Sequence, residues 1–125
     1  MRKRFLTLAI ALVVGLLICR APAFAGEADV LKVEARKTGN QAYHFSVTVQ
    51  HKDTGWDHYA DKWDVLGPDG TIFGTRTLYH PHVDEQPFTR SLSGVAIPAG
   101  VRTVTVRAHD SVHKYGGKVV QVELP

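Results

Sequence analysis

Hydrophobic and polar residues alternate along most of the chain beyond residue 29, the two-residue period of strands that bury one face. Over 30–36, Leu31, Val33 and Ala35 are expected to share one side and Lys32, Glu34 and Arg36 the other. The pattern is stronger over 42–51, where Tyr43, Phe45, Val47 and Val49 point inward and His44, Ser46, Thr48 and Gln50 face water. Further strands are predicted over 59–66, with Trp63 and Val65 in the core, over 71–79, and over 88–95, with Phe88, Arg90 and Leu92 on one face. The last two fall over 102–109, with Val104, Val106 and Ala108 on one side, and over 118–124, with Val120, Val122 and Leu124. GPDG at 67–70 and IPAG at 97–100 supply turns, because proline fixes one backbone angle and glycine accepts unusual ones. No segment keeps apolar residues at helical spacing over three turns, which argues against a mostly helical fold.

Seven short strands separated by Pro- and Gly-rich turns predict an all-β fold, a Greek-key sandwich, with a small β-barrel as the alternative. Over most of residues 29–125, strand order and spacing resemble an immunoglobulin-like or fibronectin-III-like module. The inter-sheet cysteine pair of antibody domains is absent, and Trp63 is placed to be the large central side chain. Trp56 is expected to cover the end of that core.

Charge alters the picture once it is located. The whole chain of 125 residues carries a formal +3, but MRKR at 1–4, the apolar run 5–19 and the small-residue pattern APAFA before GEAD form a secretory leader. Cleavage after Ala25 leaves a single domain over 26–125 with 11 basic against 12 acidic side chains. Nothing in that balance favours nucleic acid. The apolar run falls short of the roughly 20 residues that cross a bilayer, so no stable membrane insertion is expected after leader removal. Bulky Ile18 before Cys19 fits a lipid-attachment site poorly. The expected location is the bacterial periplasm or the exterior, for a product with neither Cys nor Met, so neither disulfides nor sulfur ligands are available.

What remains unusual is seven histidines. If strands alternate in direction, the connections after strands two, four and six share one pole, which gathers His51, His58, His80, His82, His109 and His113 and leaves His44 toward the other. In YHPHVDEQPF, 79–88, His80 and His82 point to one side of an extended chain stiffened by Pro81, so both can meet one ion. Asp84 and Glu85 are candidates to orient those imidazoles or add oxygen. His58, His109 or His113 would supply the third nitrogen, and His51 is expected to share the apolar face of its strand. Nitrogen and oxygen donors favour copper(II) or zinc.

Catalytic motifs are scarce. The chain has no HExxH, no GxSxG and no phosphate-binding glycine loop in a strand-to-helix setting. DSVH at 110–113 reads as a loop in which Asp110 and Ser111 bond nearby backbone. An exported metal-binding module and a non-catalytic module for protein interaction or envelope assembly are therefore the two leading expectations, with an enzyme the less expected class and oligomeric state open. The fold itself is expected to need no cofactor.

Overall fold

A computed structural model describes residues 26–125. The leader expected over 1–25, with its cleavage site and Cys19, lies outside the described residues. Among the described residues seven strands form: β1 (Asp29–Gly39), β2 (Ala42–Gln50), β3 (Ala60–Leu66), β4 (Ile72–Thr77), β5 (Phe88–Ala96), β6 (Thr103–Asp110) and β7 (Val120–Glu123). They make two antiparallel sheets, β1-β2-β5 and β4-β3-β6-β7. Among the described residues no helix is long and apolar enough to cross a membrane.

The alternation determines what lies between the sheets. Tyr43, Phe45, Val47 and Val49 of β2 face Trp63 and Val65 of β3 and Val104, Val106 and Ala108 of β6, all buried, with Phe88 and Val95 of β5 completing the layer. Removing these faces from water is the main drive for closing the two sheets. Trp63 is fully buried, as its place on the third strand implied, but Trp56 is not a lid: it is 68% exposed and meets Tyr59 edge to face.

β1 departs from simple alternation. Its register against β2 slips between Val30 and Lys32, so Val30 is buried and Leu31 turns outward at 43% exposure. A bulge inserts one unpaired residue and inverts the facing of everything before it, which periodicity counted from a single origin does not reveal. The GPDG turn forms as expected: Gly70 N–H donates to the Gly67 carbonyl, Thr71 N–H to Asp69 Oδ1, and Gly70 takes φ of 84°.

Candidate metal centre

Two inward-facing rows continue past the apolar part of their strands. The β2 row Tyr43, Phe45, Val47, Val49 is followed, two residues on, by His51, which is 3% exposed. The β6 row Val104, Val106, Ala108 ends at Asp110, which is fully buried. Because β2 and β6 belong to different sheets, an imidazole from one and a carboxylate from the other meet where the core ends. His58 comes between them from the β2–β3 connection, held by a bridge with Gly55, whose carbonyl accepts from His58 N–H, and by Thr54 N–H donating to the His58 carbonyl. His58 Nε2 lies 3.0 Å from Asp110 Oδ1, and the His51 and His58 rings are 4.7 Å apart. One potential ligand atom from each of His51, His58 and Asp110 falls within 4.8 Å of the others.

The hydrogen bonds around Asp110 are lopsided. Oδ1 accepts from the backbone N–H of Val112 and of His113, at 2.9 and 2.7 Å, while Oδ2 is buried and has no partner among the described residues. Burial alone would raise the pKa of this carboxyl. The two N–H donors, the charge of His51 and the bond from His58 outweigh it and hold it below the ordinary value. Asp110 is thus an anion with one oxygen left for a positive ligand.

His51 is held from both sides by acceptors: Nδ1 faces Asp53 Oδ1 at 2.5 Å and Nε2 faces the Gly26 carbonyl at 2.9 Å. Both nitrogens must then carry hydrogen, so the metal-free ring is an imidazolium. Burial pushes its pKa down, but the Asp53 hydrogen bond and charge, the Asp110 charge and the Gly26 carbonyl hold it above the usual histidine range. Asp53, buried as well, also accepts from Ala60 N–H at 3.0 Å and His82 N–H at 2.7 Å. Its pKa is raised by burial and lowered by these donors, with a net depression. A carboxylate fixing Nδ1–H presents Nε2 in a set direction, the usual support of a metal-bound imidazole. A cation at this place would replace the Nε2 proton of His51 and engage the idle oxygen of Asp110.

The other predicted residues lie around this centre. His113 touches it, its ring 4.9 Å from that of His58 and its Nδ1 3.4 Å from Asp110 Oδ1. His80 and His82 do come together, with ring centres 4.7 Å apart, and with Asp84 and Glu85 they border a shallow surface pocket. His82 is nevertheless stacked on Phe88 at 3.9 Å, and Arg90 Nη2 donates to its Nε2 at 2.9 Å. Guanidinium nitrogens only donate, so the hydrogen of His82 is on Nδ1, which is buried and has no partner among the described residues. Burial, then Arg90 and His80, lowers its pKa. Asp84 and Glu85 are exposed. His109 points to the other face of β6, where Nδ1 meets Asp61 Oδ1 at 2.5 Å and the ring lies edge-on to Tyr115. His44 bonds Ser93 at the far side. Asp110, read from sequence as a loop-capping residue, does cap the loop through Oδ1; its second role follows from the inward row that it ends.

The expectation of a non-catalytic protein is corrected at this site. It rested on missing nucleophile and helix motifs, whereas a buried His–His–Asp set assembled from distant strands needs no local motif and is the type of ligand set on which metal-dependent enzymes are built.

No family model matches the chain. A protein of Halomicrobium mukohataei named "Putative lipoprotein" is 43% identical over 97 residues, which cover 78% of this chain and 47% of that protein, so the chain spans about half the length of this curated relative. Among solved structures, a crystal structure of a superoxide reductase in the oxidised state matches at a TM-score of 0.43 and 13% identity, over 85% of this chain and 95% of the other. That likeness is too loose to carry residues from one chain to the other.

Proposed function

We propose that the protein is an exported domain that binds a divalent first-row transition metal through His51, His58 and Asp110, with His113 at the edge of the site. The observation that carries this reading is Asp110 Oδ2, a buried carboxylate oxygen without a partner among the described residues, beside two imidazoles. Three protein ligands leave coordination positions for water or a small substrate, the feature that separates reactive from purely structural sites. Two imidazoles and one carboxylate suit Zn(II) and Fe(II) as well as Cu(II), which adds iron to the copper and zinc expected from sequence. The leader pattern and the name of the Halomicrobium relative support a place in the cell envelope. The strand order, with β4 on the sheet of β3, supports the fibronectin-III-like form of the sandwich over the constant-type immunoglobulin form, in which the fourth strand joins the first sheet.

The test is calorimetric titration with Zn(II), Cu(II) and, without oxygen, Fe(II). Saturable binding below roughly 10 μM is expected, lost by at least a hundredfold in His58→Ala and in Asp110→Asn and retained in His109→Ala. The proposed pair His80 and His82 is a separate arm. Loss of binding in His80→Ala plus His82→Ala, with His58→Ala unaffected, would move the site to that pair. A protein partner in the envelope is a second reading, favoured by Trp56 and Tyr79, which are 68% and 73% exposed.

A further inference from the structure

We infer that Gly26, as the first residue of the processed chain, is itself a ligand of this metal, so that leader removal completes the site. The inference rests on the His51–His58–Asp110 reading and on cleavage after Ala25. The Gly26 carbonyl lies 2.9 Å from His51 Nε2, the nitrogen that Asp53 leaves for a cation. Two ligands each about 2.1 Å from one ion and at right angles are about 3.0 Å apart, so these two atoms already have the spacing of neighbouring ligands.

The backbone after Gly26 is fastened in place. Ala28 is buried, Val30 N–H donates to the Lys118 carbonyl and Lys118 N–H donates to Asp29 Oδ1. A side chain at Gly117 would collide with the Ala28 carbonyl, so the 116–118 turn grips this segment closely. Gly26 thus reaches the pole on a short, fixed arm, and it borders a cavity of about 540 Å³ together with His51, Lys52 and Gln86. A Cβ at Gly26 would meet no atom of the described residues within 4 Å, so the residue faces open space. The leader pattern puts the scissile bond immediately before this residue. Hydrolysis there frees an α-amine, and the amine nitrogen and carbonyl oxygen of one residue close a five-membered chelate ring on a metal. In the unprocessed chain the same nitrogen is an amide and a poor donor.

The experiment exports the full chain, purifies the processed protein and reads its first residue by mass spectrometry. Zn(II) and Cu(II) affinities are then compared for the processed protein, the same protein acetylated selectively at the α-amine, and a form with one extra alanine ahead of Gly26. At least a tenfold weaker affinity in both altered forms is expected, with the thermal stability of the metal-free forms unchanged. Equal affinity in all three forms, or a first residue other than Gly26, overturns the inference. Its failure differs from failure of the site itself: His58→Ala would still abolish binding in the first case, whereas no saturable binding by the processed protein would sink both.

Discussion

Asp53 links the parts of the candidate centre at the scale of single residues. Its carboxylate fixes His51 Nδ1–H and ties down the backbone at Ala60 and His82. Replacing it by asparagine keeps the shape and removes the charge, so Asp53→Asn is expected to weaken metal binding about 10- to 100-fold while the fold survives. Calorimetry and a near-ultraviolet spectrum check both halves. The same residues set the pH response of the metal-free protein. His51 has a raised pKa, so its contribution is fully present below its ordinary value of 6.5 and is lost as pH rises through the folded value. Asp53 and Asp110 have depressed values, so theirs are present above 3.8 and lost as pH falls through the folded values. Thermal melts from pH 2 to 9 are expected to show a plateau in weakly acidic solution that declines on both sides. Saturating metal should remove the decline on the alkaline side, because the ion takes the place of the His51 proton.

At the scale of elements, β3 and β6 each carry a second polar arrangement on their outer face. Asp64 of β3 is buried at 1% exposure, accepting from Thr75 Oγ1 at 2.6 Å, Tyr115 Oη at 2.7 Å and Arg107 Nε at 3.1 Å. Arg107 also lies over the Tyr115 ring, 3.7 Å from its centre. Burial raises the Asp64 pKa, and these three donors more than reverse it. Asp64→Ala removes a charged acceptor from three donors and is expected to cost about 2 kcal/mol in urea unfolding, with metal affinity unchanged. The strands themselves were legible, because half-buried antiparallel strands alternate over most of their length and every one of the seven alternating segments became a strand. The candidate site is legible in part as well. Counting by two from Val49 reaches His51, and from Ala108 reaches Asp110, which puts both on the inner face and His109 on the outer one. The local concentration of histidine points instead to His80 and His82. Composition could not show that Arg90 reaches the His82 nitrogen or that Phe88 stacks beneath its ring. The slip in β1 was hidden for a related reason, since a bulge leaves no composition signal of its own.

For the whole molecule, the two sheets close over a core centred on Trp63, and the candidate centre sits where that core gives way to loops. Trp63→Ala is expected to destabilise the protein by about 3–5 kcal/mol, through lost burial and the cavity left behind, and to weaken metal binding only as far as it unfolds the chain. Chemical denaturation with and without metal separates the two effects. Bringing His51 from one sheet and Asp110 from the other to one ion also ties the sheets together, so bound metal should raise the melting temperature in proportion to the logarithm of free metal above its Kd. The most direct measurement is a crystal structure of the metal-loaded protein with anomalous diffraction recorded at the absorption edge of the ion. The predicted result is one strong peak about 2.0–2.2 Å from His51 Nε2, His58 and Asp110 Oδ2. A peak held by His80 and His82, or full loading with no peak beside Asp110, would contradict the assignment.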